Sequence, residues 1–193
     1  MTRGFEQIPW LYDPWMSLVE RLGFRRWREW LVRGAAGRTL DLGSGTGRNL
    51  PLVPAGVPVV AVEPFLDPLL RARRRAPGVP LVLARAEALP FRDGAFDCVI
   101  GGLVLCSVDD QPAALAELRR VLRPGGALRL LEHVRDHRSW AAAMQDALQP
   151  AWTRFTGGCH PNRDTERAVS DAGFRVVERR AEGVLRRLAA TRT

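Results

Sequence analysis

The stretch LDLGSGTGRN, residues 40–49, closes an apolar run on a carboxylate and then turns through three glycines. Its spacing is Gly43-x-Gly45-x-Gly47, and arginine at position 48 breaks the dinucleotide-binding pattern G-x-G-x-x-G. A Walker pattern is absent as well. Glycines directly after a strand let a ligand approach the backbone at the carboxyl edge of an open parallel sheet. The flanking sequence decides whether such a sheet is present.

On both sides, apolar runs alternate with helical patterns. RTLDLG (38–43) reads as a strand, GRNLPLV (47–53) as a helix and VPVVAVE (57–63) as a strand. FLDPLLRARRRA (65–76) then reads as a helix, followed by strands at VPLVLA (79–84) and FDCVIGGLVL (96–105). DQPAALAELRRVL (110–122) is a helix and GALRLLEHV (126–134) a strand. Strands alternating with helices require crossover connections, which predicts an α/β, doubly wound, mostly parallel sheet. Ahead of it, Trp15, Leu18, Val19 and Leu22, then Trp27, Trp30 and Leu31, stand at helical spacing. They predict two short amino-terminal cap helices that break at Gly23.

The helix ends carry chemical marks. Asp109 or Asp110 caps the helix at 111–122, and Pro124-Gly125-Gly126 is expected to end it. Residues 139–155 place Trp140, Ala143, Met144, Ala147, Ala151, Trp152 and Phe155 on one stripe, with the two tryptophans read as core packing ahead of substrate stacking and Pro150 as a kink or break. Asp164 starts a last short helix ending at Gly173. Neither repeats nor low-complexity linkers interrupt the 193 residues, so a single domain over 1–193 is expected.

The net charge is +8, and every one of the 29 basic residues is arginine. Without lysine, Schiff-base catalysis is excluded. The arginines are spread through 21–38, 71–75, 119–129 and 175–192 rather than gathered, which argues against specific nucleic-acid binding. Weak contact with an anionic membrane surface is the macromolecular partner the charge leaves open. There is no long apolar run and no signal-peptide pattern in MTRGFEQIPW, and three cysteines without a CxxC pair suit a reducing environment. The expectation is a cytoplasmic protein, bacterial in origin.

Two carboxylates define the ligand. Asp41, immediately before the glycines, disfavours a pyrophosphate and favours a cationic group such as an ammonium. Glu63 ends the next strand 22 residues later, where a carboxylate accepts hydrogen bonds from a ribose diol. A nucleoside joined to an ammonium group is S-adenosylmethionine.

The motifs LDLGSGTG, VVAVEP, ARAEALPFRDGAFDCVIGGLVLCSV and ELRRVLRPGGALRLLEHV, in this order, resemble those of class I S-adenosylmethionine-dependent methyltransferases across about residues 10–193. The resemblance implies a Rossmann-like seven-stranded sheet whose last strand, here about 184–191, is antiparallel, with a helix inserted after strand 5. LVLCSV, LEHVR, Gln145 with Leu148, Pro150 and Trp152, and GGCHPNRDT are further similar to the methyltransferase-like seven family of alkyl-thiol methyltransferases and its bacterial relatives. By that resemblance, Asp41, Gly43, Ser44, Gly45 and Gly47 hold the methionine half of the cofactor and Glu63 its ribose. Ala86 and Glu87 border the adenine, Leu103 offers backbone near the methionine, and Tyr12 closes the pocket.

The methyl acceptor is expected on the other side. His133, at the end of the fifth strand, is the candidate general base, since either it or Glu132 should face the cleft; it reads equally as a structural histidine bonded to the inserted helix. Trp152, His160 and Arg163 are candidate acceptor-side residues, Arg163 favouring a thiolate. TGGCHPNRDTE (156–166) reads equally as a lid over the acceptor and as a helix-capping connection. Cys159 and His160 are adjacent and lack the usual zinc-ligand spacing, so no metal is expected. Cys98 and Cys106 read as small core residues. The leading function is methylation of a small molecule, preferably a thiol. N- or C-methylation of a phospholipid or quinone, and a non-catalytic cofactor-binding scaffold, are the alternatives.

Overall fold

The computed structural model of the protein describes residues 4–193; residues 1–3 of the amino-terminal stretch read above lie outside the described residues. Seven strands form one sheet in the order β3-β2-β1-β4-β5-β7-β6. They are β1 (Thr39–Leu42), β2 (Val59–Glu63), β3 (Leu81–Leu83), β4 (Phe96–Gly102), β5 (Leu122–His133), β6 (Phe174–Glu182) and β7 (Leu185–Arg192). The first five run parallel, and β7 is antiparallel to both β5 and β6. The chain order reverses between β1 and β4, which opens a crevice at their carboxyl ends.

Side-chain alternation explains why both faces are covered. Leu40, Leu42, Val99, Leu128 and Leu130 point to one face, where α4 (Gln111–Val121) supplies Leu115 and Leu118 and α6 (Thr165–Asp171) supplies Val169. Cys98, Ile100 and Leu131 point to the other, under Trp27, Leu31 and Val32 of α2 (Arg25–Arg33). α1 (Pro9–Val19) precedes α2, and the two join through an irregular turn in which Gly23 takes φ 121°, the break its sequence position predicts. α3 (Leu66–Arg75) packs Ala72 against Leu50 and Ala61. Asp110 caps α4 by accepting from the Ala113 amide, and Asp164 caps α6 by accepting from that of Arg167.

Three local expectations are corrected. Residues 47–53 form no α-helix but a single 3₁₀ turn at Leu50–Leu52, with Pro51 inside it and Pro54 just after. α4 stops at Val121 because Leu122 is already extended, so Pro124-Gly125-Gly126 lies within β5, beside a register shift, instead of ending the helix. The inserted helix, α5 (Ser139–Thr156), runs through Pro150 unsplit. Its apolar stripe faces outward: Trp140, Met144, Trp152 and Phe155 are all exposed, and the buried positions are Ala141, Ala142 and Thr156.

Candidate functional site

A pocket of about 770 Å³, counting its open mouth, lies at the crevice formed by the reversal in strand order. Its wall is built from the carboxyl ends of β1, β2 and β4 and from the amino-terminal segment. Tyr12, Gly43, Gly45, Glu63, Ala86 and Leu103 of the expected site line it, together with Glu6, Gln7, Phe65 and Ser107. Asp41, Ser44, Gly47 and Glu87 are not on that wall.

The glycine turn is shaped by conformation and by space. Gly43 and Gly45 have φ 59° and 55°. A methyl group at Gly43 would lie 2.5 Å from Val104, whereas one at Gly45 would meet nothing closer than 4.0 Å, because that edge faces the pocket. Leu103 has φ 61°, the one positive-φ residue other than glycine among the described residues. Its amide donates to the Leu131 carbonyl, and the strained position sits on the pocket wall.

Glu63 does more than end a strand. Its carboxylate accepts from the Gly45 amide at 3.0 Å and the Phe65 amide at 3.2 Å, tying the glycine turn to β2. Burial pushes its pKa up to about 7, against the pull of those two amides. Asp41 lies beneath the turn, fully buried, and burial raises it to about 7 as well. One Asp41 oxygen accepts from the Asn49 side chain at 2.7 Å; the other, like Ser44 Oγ, has no hydrogen-bond partner among the described residues.

Asn49 leads into a polar network the sequence reading missed. Arg28 donates to Asn49 at 2.6 Å and to Glu20 at 2.7 Å, while Arg48 donates to Glu20 and to Asp13. Asp13 also accepts from Thr46, Arg71 and Arg75. These hydrogen bonds hold its carboxyl below the ordinary range despite burial. The arginine that spoils the dinucleotide pattern therefore clasps the glycine turn to α1. Its only sequence signal was its position directly after the last glycine.

The loop after β4 has its own anchor. Glu132 accepts from the consecutive amides of Val104, Leu105 and Cys106 at 3.0–3.1 Å. Burial raises Glu132 to about 7. It thus faces the loop, and His133 faces elsewhere. His133 Nδ1 stands 3.6 Å from Cys159 Sγ, and His133 does not line the pocket, which displaces it from the expected general-base position.

Arg163 is redirected too. It donates to the carbonyls of Leu105 and Val108, both at 2.8 Å, and is no wall residue of the pocket. The His160 amide donates to the Cys106 carbonyl, while its buried Nδ1 has no partner among the described residues. Gly157 ends α5 at φ 88°, and Thr153 and Thr156 bind the Cys159 backbone. The 156–166 loop is thus a capping connection that also braces the loop after β4. Glu87 and Arg85 likewise bind each other and the segment at Asp109, leaving Ala86 to border the pocket.

Cys106, read as a core filler, and Cys159, which has no cysteine near it in sequence, meet at His133. The Cys106 thiol and then His133 hold Cys159 below the ordinary thiol range, while the same contact and burial push Cys106 well above it. Sequence spacing could not reveal the trio, because its members come from the loop after β4, the end of β5 and the loop after α5.

A family model described as a methyltransferase domain matches residues 40–130. Human thiol S-methyltransferase TMT1A is 34% identical over 172 residues, covering 85% of this chain and 70% of that protein. The chain belongs to the S-adenosylmethionine-dependent methyltransferases. Human thiol S-methyltransferase TMT1B is 36% identical over 157 residues, 76% of this methyltransferase and 64% of the relative, so the chain spans about two thirds of the relatives' length. A crystal structure from Thermotoga maritima, described as a SAM-dependent methyltransferase and possible histamine N-methyltransferase, superposes with TM-score 0.76 at 26% identity over 98% of both chains. The pocket of the methyltransferase fits S-adenosylmethionine, its cofactor. It offers an open glycine edge, a wall carboxylate, and apolar Ala84, Phe65 and Val108 for a flat base. No helix of the described residues is long and apolar enough to cross a membrane.

Proposed function

We propose that this enzyme methylates a small apolar thiol. The observation that carries the reading is the 34% identity to a thiol S-methyltransferase over 85% of the chain. Exposed apolar side chains near the pocket support it. Phe5 stacks on Phe155 of α5 at 5.5 Å and meets Tyr12 and Trp15 of α1 edge-on. Tyr12 lines the pocket, while Trp15 and Phe155 are exposed, as is Trp152, whose ring lies 6.4 Å from that of Phe155. Such a rim accepts an apolar acceptor at the same edge of the sheet as the cofactor. It also gives the cationic surface apolar anchors for weak contact with an anionic membrane.

In this reading Glu63 accepts from the cofactor's ribose hydroxyls, Gly43 and Gly45 carry its methionine half, and Asp41 and Ser44 support it from below. Ala86 borders the adenine, with Glu87 fixing the loop behind it, and Gly47 allows the turn to close. The bound cofactor supplies an activated methyl group. The chain's own task is to orient the acceptor and exclude water, which Tyr12, Leu103 and Ser107 do on the pocket wall. His160, Arg163 and Trp152 act by holding the acceptor-side loop. The chain functions as one domain, and its free thiols suit a reducing cytoplasm.

Incubation with labelled S-adenosylmethionine and a panel of alkyl thiols, amines and quinols tests the proposal. Transfer to thiols with kcat/KM well above the other classes is expected; transfer to quinols or amines alone, or cofactor binding without turnover, refutes it.

A further inference from the structure

Three potential metal ligands converge beside the pocket, from segments far apart in sequence. The Sγ atoms of Cys106 and Cys159 and a ring nitrogen of His133 all lie within 4.8 Å of one another. Zinc bonds of about 2.3 Å to sulfur and about 2.0–2.1 Å to nitrogen, at a tetrahedral angle, place sulfur and nitrogen about 3.6 Å apart. Cys159 Sγ and His133 Nδ1 are separated by 3.6 Å.

The ligand backbones are fixed before any ion binds. The Cys106 amide donates to Glu132 at 3.0 Å, and its carbonyl accepts from the His160 amide at 2.7 Å. The Cys159 amide donates to Thr156 Oγ at 3.2 Å, and its carbonyl accepts from Thr153 Oγ at 2.7 Å. Each sulfur is thus held by main-chain anchors on both sides, the support a metal site needs around its ligands. Two thiols and an imidazole favour a borderline-soft ion, and three protein ligands leave a tetrahedral ion one open position.

The trio adjoins the pocket wall. Cys106 Sγ lies 3.5 Å from Oγ of Ser107, which lines the pocket, and the wall residue Glu6 is within electrostatic reach of Cys159. We propose that Cys106, His133 and Cys159 bind zinc, with the fourth position open to the pocket for the sulfur of the acceptor. The ion's protein ligands stand independently, whereas its fourth ligand rests on the thiol reading of the acceptor. A thiol entering that position loses its proton to solvent and binds as thiolate, because a coordinated thiol is deprotonated outright. This accounts for a pocket without a histidine on its wall.

Metal analysis by mass spectrometry of the purified full chain, after dialysis against zinc and then metal-free buffer, should find one zinc per chain. Cys106→Ser, Cys159→Ser and His133→Ala should lose it, while Cys98→Ser, away from the cluster, should keep it. A folding-independent check uses the wild type: a chelator should lower Tm and added zinc restore it. The cobalt-substituted protein should show thiolate-to-cobalt absorption that shifts on adding a small alkyl thiol, without S-adenosylmethionine. Absence of bound metal with three titratable thiols overturns the site, as does a chain lighter by two hydrogens with Cys106 and Cys159 linked. Zinc bound with no thiol-induced shift overturns the fourth ligand; zinc bound and a shift seen, but no thiol methylated, keeps the site and refutes the thiol function.

Discussion

Neutralising Glu63 should move stability and cofactor affinity in opposite directions. Folding raises this carboxyl from 4.5 to about 7. Between those values the folded chain holds a proton that the unfolded chain has released. The contribution to stability therefore falls as pH rises from 4.5 to 7 and is constant above. At about 1.4 kcal/mol per unit, some 2.5 units set an upper bound of about 3.5 kcal/mol at pH 8. Glu63→Gln is uncharged throughout and keeps an oxygen for the Gly45 amide but none for the Phe65 amide, so the cofactor-free variant should melt above wild type at pH 8 by only the part of that bound left after the lost Phe65 bond. Binding goes the other way, since the ionised form is the better acceptor for a ribose diol. With a pKa of about 7, affinity at pH 6 should be about tenfold below that at pH 8 through this group alone. The variant should lose that decade, and any pH dependence it keeps reports Asp41, which is raised to about 7 as well. Calorimetric titration of S-adenosylhomocysteine from pH 6 to 8, beside thermal melts of the free proteins, measures both. A variant that melts below wild type at pH 8 while keeping its affinity and pH profile refutes the reasoning.

Asp13→Asn removes the charge opposite Arg48 and Arg75, and breaking a buried ion network costs about 3 kcal/mol; denaturant unfolding should show this loss, with weaker cofactor binding because Thr46 of the turn is released. Arg163→Ala leaves the carbonyls of Leu105 and Val108 without that donor, so stability should fall by about 1–3 kcal/mol while the cofactor dissociation constant stays nearly fixed. A large fall in kcat/KM at unchanged Tm would instead make Arg163 an acceptor contact. Any association with DNA, followed by fluorescence anisotropy, should collapse between about 50 and 200 mM salt, and a salt-resistant complex would contradict the dispersed charge.

The first five strands and their parallel run were legible because each apolar run has its own length and punctuation, whereas the antiparallel last strand was expected only from the family resemblance and the strand order came with the fold. No α-helix forms at 47–53 because Pro51 and Pro54 oppose the helix that the apolar periodicity alone favours. The outward stripe of α5 is not legible for a different reason: periodicity shows that a helix has an apolar face but not what it faces. Asp41, Glu63 and the glycines stood out because they cluster at the ends of adjacent strands. Asp13, Arg28 and the Cys106–His133–Cys159 trio did not, since their partners lie far off in sequence and only the fold brings them together.

The chain of contacts from Asp41 through Asn49 and Arg28 to Glu20 has a thermodynamic consequence. A ligand that orders the glycine turn acts on the same hydrogen bonds that keep α1 and α2 docked, so cofactor capture and helix docking are linked equilibria. Amide hydrogens of α1 and α2 should therefore exchange more slowly once the cofactor is bound. By reciprocity, loosening those helices through changes far from the pocket would lower the affinity by the same factor.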